Sequence, residues 1–174
     1  EVSGIAYWMS VQKFHRYAGG VVEIPNAGDV DDFVLNDDTY GLDTNYATKT
    51  WARYDIKNDQ VRWHYVSHSS TNKEPDRYVD VNLSDFVWTT GSLDGTTGTV
   101  FRQQDTSSIV VDSSGYMQSQ DEGVNNNGAA IESYVTYGLY NVAEGEQNVD
   151  IMGVIPDCKR HVVALDFEVF TREY

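Results

Sequence analysis

The feature that most narrows the fold is a two-residue alternation of apolar and polar side chains, interrupted at short intervals by polar turns. Residues 5–17 read as one strand. Gly19 and Gly20 make a turn after it, and Val21, Val22 and Ile24 form the return strand. Residues 51–56 and 61–66 flank Lys57-Asn58-Asp59, residues whose type tolerates the left-handed backbone of hairpin loops. Residues 77–82 and 86–90 flank Leu83-Ser84-Asp85, and residues 108–111 and 116–118 flank Asp112-Ser113-Ser114-Gly115. Residues 147–155 and 161–170 pair as a longer hairpin around 156–160. Helical periodicity is scarce: its nearest instance, 130–140, carries Val135, Thr136 and Tyr137, which favour strand. The expectation is an all-β chain of antiparallel hairpins, arranged as propeller-like blades or a β-sandwich.

Composition agrees. Tyr (12) and Trp (4) suit pleated, half-buried surfaces, and 14 Gly against 3 Pro suits many tight turns. The two hairpins between Trp51 and Thr90 add up to one four-stranded unit of roughly 40 residues, the length of a propeller blade. Residues 1–117 are read as a hairpin or blade region, 118–128 (QSQDEGVNNNG) as a polar linker, and 129–174 as a terminal β-hairpin element.

A net charge of −15 disfavours sequence-specific binding to nucleic acid, whose phosphates such a surface repels. The single cysteine, Cys158, cannot close an internal disulfide, so a disulfide scaffold is ruled out and synthesis in a reducing cytoplasm is permitted. No run approaches the ~18 apolar residues of a membrane span, and the N-terminus lacks a basic region followed by an apolar run. The chain opens at Glu1 on the approach to a strand and closes at Tyr174 directly after one, so it is expected to be a fragment of a longer protein.

Candidate chemistry is thin. Residues 26–45 hold six Asp (Asp29, Asp31, Asp32, Asp37, Asp38, Asp43) and no Lys or Arg. Their spacing does not match a helix-loop-helix calcium loop, and a solvated acidic loop is expected. His64 and His68 are four apart, a spacing that faces one side only on a helix. Here His64 is flanked by Trp63 and Tyr65 in a strand, while His68 falls in a polar loop. Gly-x-Ser-x-Gly is absent, no base can be named for Cys158, and the Gly-rich run 91–98 (GSLDGTTG) lacks the Lys and helix of a phosphate loop, which leaves it a strand connection. No cofactor and no catalytic residue is assigned. Trp51, Trp63 and Trp88, with Tyr54, Tyr65 and Tyr78, would stack sugars if exposed and fill a core if buried. Glu74-Pro75-Asp76-Arg77 ends a polar loop and enters a strand. There Arg77 is expected to pair with a neighbouring carboxylate and anchor the loop.

From Tyr65 to Leu93 the sequence resembles structural proteins of short-tailed bacteriophages that form the tail tube, nozzle or hub. Glu74, Asp76, Arg77, Tyr78 and Val79 match a Glu-x-Asp-Arg-Tyr-Val element of that family, and Asn82, Trp88, Gly91 and Leu93 match the element that follows it. Upstream, Tyr7-Trp8-Met9-Ser10 with Phe14, Tyr17, Gly19 or Gly20, Val22 and Pro25 is similar to a family hairpin. Downstream, residues 130–134 (AIESY), Met152 and Ile155-Pro156-Asp157 are similar to its Ile-Glu-Ser and Ile-Pro-Asp pair. Ser10 stands where the family has glycine, His64 where it has an aromatic, and the Asp-rich insert is more acidic than the family pattern.

The resemblance implies a propeller-like β domain that assembles with copies of itself, and with other tail and portal proteins, into a ring around the DNA channel. It also implies a virion tail component made in the host cytoplasm, with no catalytic residues, no cofactor and no small-molecule ligand. On that reading Glu74, Asp76, Arg77, Trp63 and Trp88 are structural anchors. The six Asp are candidate acids of the lumen, repelling DNA that passes without specific binding. Two other classes stay open: a carbohydrate- or host-receptor-binding module, which requires an exposed aromatic row, and a glycan hydrolase on a β scaffold, which requires a cleft with carboxylates roughly 5–10 Å apart.

Overall fold

A computed structural model describes residues 2–100, 108–120, 123, 125, 126 and 128–130. They belong to a compact unit that runs from Glu1 to Ile131. The remaining unit, Glu132–Tyr174, lies outside the described residues, and with it the hairpin expected over 147–170, Cys158 and His161.

The fold is all-β and antiparallel throughout the described strands. β1 (Ala6–Met9), β2 (Phe14–Tyr17) and β3 (Val21–Glu23) form a three-stranded sheet in chain order. β4 (Trp51–Asp55), β5 (Gln60–Tyr65), β6 (Arg77–Asn82) and β7 (Trp88–Ser92) form a four-stranded meander, also in chain order. β8 (Thr97–Val100), β9 (Ser108–Val111) and β10 (Met117–Ser119) form a third sheet. β11 (Asn125–Asn126) pairs with β12 (Ala129–Ala130).

Register explains the core. Tyr54 faces Val61, Val61 faces Val81, Trp63 faces Val79, and Val81 faces Trp88, so these side chains share one face of the meander. That face buries Val61, Trp63, Tyr65, Val79 and Val81 against Phe14 and Ile24 of the first sheet and its exit and Val34, Leu35 and Leu42 of the segment that follows. The Phe14 ring lies 4.8 Å from that of Trp88 and 5.4 Å from that of Trp63, in tilted contacts favourable to aromatic pairs.

Four expectations are corrected. Residues 5–17 are two strands, because Ser10 turns the chain: its Oγ donates to the Lys13 carbonyl (2.8 Å) and accepts from the amides of Lys13 (2.9 Å) and Gln12 (3.2 Å). The Asp-rich segment is not a plain loop. It holds a helical turn, Gly28–Asp31, continued by a π-helical turn, Asp32–Asn36, and later a 3₁₀ helix, Thr44–Lys49. Val34 and Leu35 draw it onto the core. The stretch read as a connection over 91–98 is shorter, since Gly91 ends in β7 and Gly98 in β8. The polar segment over 118–128 begins inside β10 and contains β11.

Candidate functional site

Polar side chains converge in two places, both on the β4–β7 meander. The first is the loop between β5 and β6. Asp76, at its end, accepts from the Ser67 amide (2.8 Å) and the Ser67 hydroxyl (2.7 Å), and the hydroxyls of Ser67 and Ser69 lie 2.8 Å apart. Glu74 pairs with Lys49, whose ammonium also donates to the Lys73 carbonyl (2.7 Å). Arg77 lies with its guanidinium 4.0 Å from the centre of the Tyr40 ring. The loop anchor is therefore an aromatic face in place of the neighbouring carboxylate expected for Arg77. Backbone bonds from the His68 amide to the Gly41 carbonyl and from the Ser69 amide to the Thr39 carbonyl tie this loop to the acidic segment.

Within that segment the six aspartates divide. Asp31 is buried and holds Lys13 at 2.7 Å. Asp43 is buried as well, caps the 3₁₀ helix through the Asn45 amide and lies 3.6 Å from Lys73. Burial pushes the Asp43 carboxyl up, but the Asn45 amide and side chain, with the Lys73 charge, outweigh it and leave it below the usual range. Asp37, half-buried, accepts from the amides of Tyr40 and Thr39, which hold its carboxyl down, with the Arg77 charge adding. Asp29, Asp32 and Asp38 are exposed. A uniformly solvated acidic loop is thus replaced by two buried ion-pair partners, one turn-former and three surface charges.

The second place is the other face of the meander, where Trp51, Arg53, Arg62, His64, Tyr78 and Asp80 line up across β4, β5 and β6. Arg62 donates through Nε (2.6 Å) and a terminal nitrogen (2.7 Å) to the two oxygens of Asp80, and its guanidinium stacks 4.1 Å from the Tyr78 ring centre. The Trp51 and His64 rings stack at 4.0 Å with 4° between their planes. Gly98 of β8 packs its backbone on the Trp51 ring, where an added Cβ would meet Cη2 at 2.7 Å. Nothing in the hairpin pattern distinguishes this face except its charge alternation. Arg62 and Asp80 are facing residues of opposite sign, and that pairing was the signal available in sequence.

Ser67 donates to a carboxylate with no imidazole beside it: His64 is wholly buried, and His68 is exposed in the loop. Among the described residues no three His, Cys, Asp or Glu side chains are grouped as a metal ion would need. Of the aromatic row, Trp63 and Tyr65 are buried in the core, Trp51, Tyr54, Tyr78 and Trp88 are half-buried, and the Trp88 indole donates to the Pro25 carbonyl at 2.9 Å. No family model matches this chain, and no curated protein does. No helix among the described residues is long and apolar enough to cross a membrane.

Proposed function

We propose that the chain is part of a virion structural protein of a short-tailed bacteriophage tail, associating with copies of itself in a ring around the DNA channel. The observation that carries this reading is the β4–β7 meander: four consecutive antiparallel strands in chain order, Trp51 to Ser92. That is the strand order of a propeller blade. Of the residues that resemble the tail family, Glu74 and Asp76 lie in the meander's second loop, and Arg77, Tyr78, Val79, Asn82, Trp88 and Gly91 in its last two strands. Glu74, Asp76 and Arg77 serve there as loop anchors, and Trp63 and Trp88 as core.

In this reading Asp29, Asp32 and Asp38 are the acids of their segment available to face DNA, where carboxylates repel passing phosphates. Light scattering behind a sizing column tests the association. The expected result is a mass above one chain that rises with concentration, with closed rings in electron micrographs. A single-chain mass at every concentration overturns the reading.

A further inference from the structure

Among the described residues, no carboxylate is hydrogen-bonded to His64. It is wholly buried, stacked on Trp51, with the Tyr78 ring tilted against it at 6.2 Å. Neither ring nitrogen has a hydrogen-bond partner. The opposite wall comes from the third sheet and the loop leading to it. An added Cβ on Gly95 would stand 2.7 Å from Cγ1 of Val110 and 3.4 Å from His64 Nδ1. The Trp51 indole donates to the Gly95 carbonyl at 3.0 Å. The Trp51–His64 stack is therefore the seam between the β4–β7 meander and the β8–β10 sheet.

Among the described residues, the charged groups on the meander's side of the seam are Arg53 and Asp55 of β4, Arg62 of β5 and Asp80 of β6; Asp55 accepts from the amides of Lys57 (2.9 Å) and Asn58 (3.2 Å). The Asp80 carboxylate is already held by Arg62. Tyr78 of β6 brings a neutral ring. From the other side, Gly95, Gly98, Ser108 and Val110 bring no charge. Asp94 is turned onto the Ser113 amide (3.0 Å) and hydroxyl (2.6 Å), and Asp112 onto the amides of Ser114 and Tyr116 (both 2.9 Å).

We infer that the Trp51–His64 stack is an acid-operated joint: protonation of His64 parts the β8–β10 sheet from the meander while the meander stays folded. The meander's own core lies on its other face, with Trp63, Tyr65, Val79 and Val81, and is untouched by His64. Burial above all, then the charges of Arg53 and Arg62, lower the imidazole pKa to about 3. In an opened seam the ring meets water and regains its ordinary pKa of about 6.5. The closed state thus binds the proton more weakly, so the seam is fully closed above the ordinary value and loosens as pH falls below it. At about pH 5 the opening equilibrium is favoured about 30-fold over its value at about pH 8.

Amide hydrogen exchange on the whole chain, corrected for intrinsic rates, reads this directly. The expected result is that protection of Thr97–Val100 and Ser108–Val111 drops about 30-fold between about pH 8 and 5, while protection of β5 and β6 drops far less. In His64→Phe, which keeps a stacked ring without a titrating nitrogen, the pH dependence of β8 and β9 is lost. Equal losses in both sheets, or an unchanged pH dependence in His64→Phe, would overturn the joint. Should the variant not fold, nitrogen NMR of the wild-type imidazoles decides. His64 neutral at about pH 5 upholds the inference, and titration near 6.5 in the closed protein sinks it.

Discussion

Asp80→Asn isolates the contribution of the buried ion pair on the polar face. Arg62 and Asp80 have side chains only 12% and 4% exposed and meet through two bonds of 2.6 and 2.7 Å, so the screening that makes surface pairs weak does not apply. Removing one member of a buried, hydrogen-bonded pair breaks a charge contact shielded from water, at a cost of about 3–5 kcal/mol. The asparagine keeps one acceptor, which places the cost near the lower end. It also leaves the guanidinium groups of Arg53 and Arg62 on facing positions of one ladder. Asp80→Asn is therefore expected to cost more than Arg62→Met. With a urea slope of roughly 2 kcal/mol per molar, a loss of about 3 kcal/mol moves the unfolding midpoint down by roughly 1.5 M. Replacing both residues, by Met and Leu, is expected to cost well under the sum of the single changes, a coupling of about 2–3 kcal/mol in a double-mutant cycle. Urea titrations followed by tryptophan fluorescence measure all four proteins. An Asp80→Asn midpoint within about 0.3 M of wild type, or additive costs, would refute the argument that this pair is desolvated.

Two further outcomes follow from packing and burial. Gly98→Ala places a Cβ about 2.6 Å from the Ile109 carbonyl oxygen and 2.7 Å from the Trp51 ring. A loss of about 1–3 kcal/mol and a weakened near-ultraviolet tryptophan signal are expected, checked by thermal melts with circular dichroism. Tyr65 is wholly buried and donates to the Tyr40 carbonyl at 3.2 Å, and burial holds its hydroxyl well above the ordinary range for tyrosine. A raised folded value means its stabilising term is complete below about pH 10 and is lost progressively as pH rises above that toward the folded value. Tyr65→Phe is thus expected to lose less melting temperature than wild type between about pH 9 and 11, and an equal loss in both would refute the assignment.

How much of this was legible depended on whether a local rule decided the outcome. Lys57-Asn58-Asp59 and Asp112-Ser113-Ser114-Gly115 turn the chain by their own chemistry, as when Asp112 accepts from the Ser114 and Tyr116 amides, and the strands beside them were read within two residues. Ser10 turns the chain equally locally, but Val11 at the turn's tip keeps the alternation going and masks the break. Phe86, at φ 55°, extends the turn after β6, where a bulky residue would ordinarily be placed in a strand. The turn at Gly28–Asp31 and the π turn after it are too short to show a helical period, and contact with the core through Val34 and Leu35 decides them. The ion pair of Lys13 with Asp31 joins residues 18 positions apart on different elements, and no spacing rule reaches it, whereas the Trp51–His64 stack is a facing pair of the β4–β5 hairpin that the register of its turn implies.

The exposed edge of the first sheet sets the terms on which copies of this chain would associate. Among the described residues β3 ends that sheet, and its Val21 and Val22 are 63% and 48% exposed on opposite faces, beside Tyr17 at 49%. A free strand edge with apolar residues on both faces and no lysine or proline invites pairing with another strand. Three residues bury too little area to hold two molecules firmly on their own, so one such contact is weak and a closed ring of them gains by avidity. Opposing this, each copy carries a net charge of −15, and like charges repel until salt screens them over about 10 Å at 0.1 M. Association through this edge is therefore expected to strengthen with ionic strength, the reverse of an assembly built on opposite charges. A light-scattering series in salt separates these two modes of contact.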